Sequence, residues 1–205
     1  DRSSAASDVY KRQQQRSLLA LQKAEKMKKQ AFADRYPYGI FSCIRTMGHI
    51  YKSRGNFDLS AQYYQEALDY MLKNMPDQDP SQLYSSLAEY YRNTQKDYAT
   101  ALDYCEKALK SAKTERNIAQ AMIEKCLVLF RQGRIDEFND CYKEAVQMAD
   151  RCKLSASVSL LIAHISKNIL DKQYEQAHAH ADQLSEKGLQ QHAYIYEYAK
   201  DYPLS

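Results

Sequence analysis

The sequence predicts an all-α fold, an α–α superhelix in which antiparallel helical hairpins stack as a right-handed solenoid. The first observation is a run of small and large apolar residues, from Ile44 to Leu68, that returns in altered form from Tyr84 to Leu109. Both runs follow the 3.6-residue period of a helix on either side of a short break. Residues that end helices are also scarce, with five Gly and four Pro among 205 residues.

Each run has small residues where its two helices would cross. Gly48 and Ala88 lie midway along the first helix of their hairpins, and Ser60 and Ala101 are the small residues that should face them. Small side chains allow two backbones to approach closely. Each run therefore predicts one closely packed hairpin.

The two hairpins differ in length by one residue. From Tyr51 to Ala67 is 16 steps, whereas from Tyr91 to Ala108 is 17 steps. We therefore expect the turn of the second hairpin to be one residue longer than the turn of the first.

Weaker copies of the pattern extend the array in both directions. Upstream, Ser17, Leu21 and Ala24 have the spacing of a second helix, whose first helix would lie at about residues 3–13. Downstream, a third hairpin is marked by Cys126, Leu129, Gly133, Ile135, Phe138, Tyr142, Ala145 and Val146, and a fourth by Leu161, Ile165, Tyr174, Ala177, Ala181 and Leu184. The expected hairpins of this single domain cover about residues 3–30, 40–73, 81–113, 117–151 and 156–187.

The ends of the sequence predict a fragment of a longer protein. Residues 189–205 have the pattern of a further, partial hairpin, which would leave Tyr194, Ile195 and Tyr198 without a covering helix. Asp1 is also not an initiator Met.

The first hairpin resembles the tetratricopeptide repeat (TPR). The matching residues are Ile44, Met47, Gly48, Tyr51, Gly55, Phe57, Ser60, Tyr64, Ala67 and Leu68, with Ile44 in the place of the usual Trp and Ser60 in that of the usual Ala. The resemblance implies a non-enzymatic scaffold whose first helices line a concave groove that binds a protein or a peptide.

The hairpin register places ten side chains in this groove as candidate partner-binding residues. They are Arg45, His49, Lys52, Ser85, Glu89, Arg92, Asn93, Ile123, Leu127 and Phe130. The set joins a polar, mostly cationic stretch to an apolar one. It predicts a partner segment that carries acidic and apolar residues.

The resemblance does not extend to chaperone-binding members of the family, in which Lys, Asn and Arg side chains hold a terminal carboxylate. Arg45 and His49 occupy two of those positions, but Ser86, Gln120 and Glu124 occupy the others. We expect Glu124 to repel a carboxylate.

Other classes of function receive little support from the sequence. The formal charge of +3 is spread along the chain, and the sequence has no Gly-rich phosphate loop, HExxH, GxSxG or kinase motif. His178, His180 and Asp182 resemble a metal-binding cluster, but residues two apart on a helix point to different sides. We expect no catalytic residue, metal, cofactor, nucleic-acid partner or direct membrane contact. A helical-repeat nucleic-acid binder is the alternative of another class.

The loose, Tyr-rich repeats and phrases such as Met47–Tyr51 and Lys172–Ala177 resemble the repeat regions that precede the membrane span of Bacteroidetes-type sensor histidine kinases. This implies the ligand- or partner-sensing region of a bacterial signalling protein in a two-component system, in the periplasm. The five cysteines, an odd number without a CxxC motif, instead predict small buried apolar residues and favour a reducing compartment. A cytoplasmic TPR adaptor, or the peptide-sensing half of a transcription regulator, is therefore the alternative.

Overall fold

The computed structural model describes the backbone of residues 2–154 and 157–186 and the side chains of residues 15–154 and 157–184. The partial hairpin expected over residues 189–205 lies outside these ranges. The described residues form helices and connecting turns without a strand, and none of these helices is long and apolar enough to cross a membrane. The helices are α1 (Arg2–Ala33), α2 (Pro37–Ser53), α3 (Phe57–Asn74), α4 (Ser81–Tyr90), α5 (Tyr98–Ser111), α6 (Glu115–Arg131), α7 (Ile135–Arg151), α8 (Val158–Leu170) and α9 (Tyr174–Glu186).

The helices pack as consecutive antiparallel hairpins, α2 with α3, α4 with α5, α6 with α7 and α8 with α9. The first helices also contact one another from hairpin to hairpin, since α4 packs on α6 and α6 on α8. The predicted all-α helical solenoid is thereby confirmed. We call the surface formed by α2, α4, α6 and α8 the first-helix face.

The hairpin expected over residues 3–30 is instead one continuous helix, α1, which packs on α2. The expected first helix at residues 3–13 and the second helix marked by Ala24 are parts of this same element. No Gly or Pro occurs between Arg2 and Ala33, and the residues around position 13 are Lys, Arg and Gln, which favour helix. The sequence therefore contains nothing that would break α1.

Most of the turns between consecutive helices share one type of helix end. The backbone is left-handed, with φ between 51° and 74°, at Arg35, Gly55, Gly133, Lys153 and Lys172. The next N–H then donates to a carbonyl five residues back, as from Asn56 to Tyr51 and from Arg134 to Leu129, both at 3.0 Å. This pattern satisfies carbonyls at the helix end and reverses the chain within about three residues.

The second hairpin accommodates its extra residue in a π-helical turn at Tyr91–Gln95. The N–H of Asp97 donates to the Tyr91 carbonyl at 3.0 Å, which is six residues back rather than five. Lys96 then adopts the left-handed conformation, with φ 57°, that Gly55 has in the first hairpin. The additional residue therefore widens the last turn of the first helix, and the crossing of the two helices is kept.

The predicted crossing at Gly48 has the expected close packing. The Ser60 hydroxyl donates to the Gly48 carbonyl at 2.9 Å. A Cβ atom built on Gly48 would lie only 2.7 Å from two ring carbons of Tyr64. In the second hairpin, Ala88 and Ala101 are both 0% exposed.

Helix α6 is buried on all sides in its second half. The five consecutive residues 126–130 are all buried, although a helix with one apolar face would bury only about half of such a run. Helices α4, α5, α7 and α8 all contact α6, which accounts for this burial.

Candidate functional site

The structure divides the ten candidate groove residues into two groups. Five are exposed or half-buried, namely Arg45, His49, Lys52, Glu89 and Asn93. The other five are buried, namely Ser85, Arg92, Ile123, Leu127 and Phe130.

The prediction of an apolar stretch in the groove is wrong, because the three residues that would form it lie in the core. Ile123 and Leu127 are 1% and 2% exposed, and Phe130 packs with its ring centre 5.4 Å from that of Phe138. The helical period identifies these residues as apolar, but neighbouring helices cover every side of the second half of α6. These three residues therefore offer no exposed apolar side chain to a partner.

An ion pair joins the first helices of the first two hairpins. The Lys52 ammonium lies 2.5 Å from the Glu89 carboxylate, and the two side chains are 35% and 25% exposed. Burial lowers the pKa of Lys52, but the Glu89 charge and hydrogen bond raise it more, so the net shift is upward. Lys52 is therefore a paired cation at the surface of α2.

A second, fully buried ion pair joins the next two first helices. Arg92 lies 2.9 Å from Glu124, with side-chain exposures of 5% and 3%. The other Glu124 oxygen accepts a hydrogen bond from the Ser159 hydroxyl of α8 at 2.5 Å. Arg92 is therefore part of the contact between hairpins, and the expectation of an accessible cation at this position is wrong. Glu124, which we expected to repel a carboxylate, is neutralised by Arg92.

His49 and Tyr64 form a third contact on the same side of the molecule. The Tyr64 hydroxyl is hydrogen-bonded to Nδ1 of His49 at 2.9 Å. Burial lowers the pKa of His49, and the charges of Arg45 and Lys52 lower it further. Burial also raises the pKa of the Tyr64 hydroxyl. Both shifts favour the neutral forms of His49 and Tyr64 beside the two cations.

Arg45 is in no ion pair within the described residues, unlike Lys52 and Arg92. Its guanidinium lies over the Phe41 ring, 5.2 Å from the ring centre. Its Nε atom is buried and has no hydrogen-bond partner within residues 2–154 and 157–186, as is also true of Nε of Arg92. The Arg45 side chain as a whole is half-buried. Arg45 is thus a partly exposed positive group without an acidic partner among the described residues.

These groups form a continuous polar track across the first-helix face. We define the polar track as Arg45, His49, Lys52, Glu89, Arg92, Glu124 and Ser159. Its two ion pairs cancel in formal charge and leave Arg45 as the excess cation. Chemically, the track holds neighbouring hairpins together and offers hydrogen-bond donors at its α2 end.

Sequence reasoning omitted Tyr64, Glu124 and Ser159 from the candidate site. Lys52 and Glu89 are 37 residues apart, and Arg92 and Glu124 are 32 apart. Both separations are close to one repeat. Opposite charges at about one repeat length along the first helices are the signal that could have identified these pairs.

The central hairpins match a known repeat family by sequence. Residues 40–114 match the family model described as tetratricopeptide repeat. The match indicates tetratricopeptide repeats in this segment, and such repeats form helical-repeat scaffolds for protein interaction that are generally non-catalytic.

Structural comparison agrees on the fold. The crystal structure of BtubC (BKLC) from P. vanneervenii is similar, with a TM-score of 0.60 over 91% of this chain and 85% of that chain. The two sequences are 16% identical, so this likeness concerns the fold alone. No curated protein matches the sequence.

Proposed function

We propose that this chain is a peptide- or protein-binding scaffold that forms the ligand- or partner-sensing region of a bacterial signalling protein. The tetratricopeptide repeats support the binding role. The resemblance of the Tyr-rich repeats to sensor regions supports the signalling role. The partner is a protein segment that docks at the α2 end of the polar track.

The observation that carries the proposal is the half-buried Arg45 side chain, which has no acidic partner among the described residues. A carboxylate from a partner would accept from this guanidinium, and such charge-assisted bonds are about twice as strong as neutral ones. The half-exposed pair of Lys52 and Glu89 lies further along the same face and provides one donor and one acceptor beside it.

The burial of α6 supports a more specific proposal for the chemistry of the bound segment. With the apolar residues of α6 buried, the partner needs no apolar anchor at the third hairpin. We therefore expect an extended segment with an acidic side chain opposite Arg45 and polar groups opposite Lys52 and Glu89. Peptide backbone groups fit such a mixed surface because they both donate and accept hydrogen bonds.

A peptide-binding measurement tests this proposal. Peptides enriched from a random library on the immobilised protein are synthesised with a fluorophore, and their dissociation constants are measured by fluorescence anisotropy. Arg45→Gln should weaken the enriched acidic peptides about 10- to 100-fold, the effect of one lost charge-assisted contact. Replacing the acidic residue of the peptide by its amide should weaken binding to the wild type similarly.

Arg54→Gln is the matched control, because Arg54 is an exposed cation at the end of the same helix. It should bind the peptides as the wild type does. Equal affinities of the Arg45→Gln variant and the wild type for every enriched peptide would contradict the site. Binding of single-stranded RNA or DNA instead, with an affinity that falls steeply with salt, would favour the nucleic-acid alternative.

A further inference from the structure

Two cysteine thiols are in direct contact within the third hairpin. Cys126 lies on α6 and Cys141 on α7, and their sulfur atoms are 2.7 Å apart, with the Cys126 thiol donating. Disulfide sulfurs are about 2.05 Å apart, so closing this pair needs a movement of only about 0.6 Å.

The two thiols differ in their access to solvent. Cys126 is 0% exposed, whereas Cys141 is half-buried. A reagent from solution therefore reaches Cys141 first. Cys126 is placed behind Cys141, where it can react with the sulfur of Cys141 but not with a large reagent.

The surroundings also make Cys141 the more reactive sulfur. The hydrogen bond from Cys126 lowers the pKa of the Cys141 thiol, and the Lys125 charge adds to this, against the opposing effects of burial and of Glu144. Burial raises the pKa of the Cys126 thiol. Because the thiolate is the nucleophilic form of cysteine, Cys141 is the thiol that attacks an oxidant.

The other cysteines lack this combination. Cys43 and Cys105 are buried, and burial raises the pKa of both thiols. Cys152 is half-buried like Cys141, but its thiol contacts the Ala149 carbonyl rather than a second thiol.

We propose that Cys126 and Cys141 are an oxidation site, at which a peroxide converts the two thiols into a disulfide that links α6 to α7. The Cys141 thiolate attacks one peroxide oxygen, the O–O bond breaks, and hydroxide leaves and takes up a proton as water. The Cys126 sulfur then attacks the sulfenic acid of Cys141, the S–O bond breaks, and a second water leaves with the Cys126 proton. Two thiols and one hydrogen peroxide thus give one disulfide and two waters.

This bond would change the protein in a measurable way. It closes a loop around the turn between α6 and α7, which restricts the unfolded chain more than the folded one. The oxidised protein should therefore melt about 5 °C or more above the reduced protein. A thiol reductant should reverse the change.

Peptide mapping of the folded chain is the direct test. The reduced protein is treated with dilute hydrogen peroxide, its free thiols are blocked with N-ethylmaleimide, and it is digested with trypsin without reductant. Cleavage after Lys125 and Arg131, and after Arg134 and Lys143, isolates Cys126 and Cys141 on separate peptides. We expect a linked peptide formed by residues 126–131 and 135–143, which separates on reduction.

Two variants and one control complete the experiment. Cys126→Ala removes the second thiol, so Cys141 should proceed to sulfinic acid and the rise in melting temperature should be lost. Cys152→Ala, the control at the other half-buried cysteine, should form the linked peptide as the wild type does.

The proposal is overturned if the wild type shows no linked peptide, or if the link joins Cys105 or a second molecule. It is also overturned if the bond forms only in denaturant, because native packing would then not bring the thiols together. A linked peptide formed under native conditions supports it.

Discussion

The contact at Gly48 allows a quantitative test of the packing within the first hairpin. Gly48→Leu would place a Cβ atom 2.7 Å from two ring carbons of Tyr64, with the rest of the side chain directed further into that ring. Tyr64 is 3% exposed and is hydrogen-bonded to His49. The ring therefore cannot move aside without losing packing and a hydrogen bond, so α2 and α3 must separate.

The size of the effect follows from two opposing contributions. Leu is favoured over Gly in a helix by about 0.8 kcal/mol. Overpacking of a filled core costs about 1–3 kcal/mol, occasionally more, and the rigid buried ring places this site at the upper end. The net loss in the free energy of unfolding should be about 2 kcal/mol, which corresponds to a fall in melting temperature of about 4–8 °C for a chain of this length.

Thermal and urea unfolding followed by circular dichroism would measure this loss. Gly48→Ala should give a smaller loss, because it adds only the Cβ atom. In a Tyr64→Leu background, Gly48→Ala should instead be neutral or stabilising, since the ring that it meets has been removed. The control Lys73→Ala on the exposed face of α3 should change stability by less than about 0.5 kcal/mol. An unchanged or higher melting temperature of Gly48→Leu would refute the proposed contact.

Three further perturbations test other parts of the structure. Glu124→Ala should lower the free energy of unfolding, measured in urea, by about 3–5 kcal/mol, because it leaves Arg92 buried without its partner. Adding Arg92→Leu to this variant should recover part of that loss. Lys96→Gly should raise the free energy of unfolding by up to about 1 kcal/mol, and with it the melting temperature, because Gly adopts positive φ without strain. A lower melting temperature of the variant would show that the turn does not strain Lys96. His49 and His164 have pKa values lowered from 6.5, chiefly by burial, so the unfolded chain binds protons more readily than the folded one. The free energy of unfolding should therefore keep its full value above about pH 6.5 and fall below that pH. Urea unfolding at several pH values should show a weaker pH dependence for His164→Gln than for the wild type.

Much of the fold could be predicted because the hairpin is a local unit. The spacing of Gly48 and Ser60 indicates a close crossing, and their hydrogen bond at 2.9 Å is the outcome. The extra residue between Tyr91 and Ala108 was visible as a count, but not as a π-helical turn. Its conformation depends on whether the last turn of the first helix or the connecting turn takes up the extra residue, and the composition does not determine which of them does.

The remaining features depend on contacts between hairpins. The period of α6 marks Leu127 and Phe130 as apolar but does not show that α4 and α8 cover the side expected to face a partner. Arg92 was expected to be accessible for the same reason, because its partner Glu124 lies in the next hairpin. Local patterns thus determined the helices, and stacking between repeats decided which polar groups remain accessible.

The burial of α6 also affects how the array can open. In an ideal linear array each repeat stabilises only its neighbours, so unfolding can proceed from either end and stop part-way. Helix α6 contacts α4, α5, α7 and α8, and its displacement would remove packing from three hairpins together. We therefore expect the segment from α4 to α8 to unfold as a single cooperative block, and the outer helices to open more easily. The α2 end of the polar track, where we propose that a partner docks, lies outside this block and meets it through the ion pair of Lys52 with Glu89 on α4.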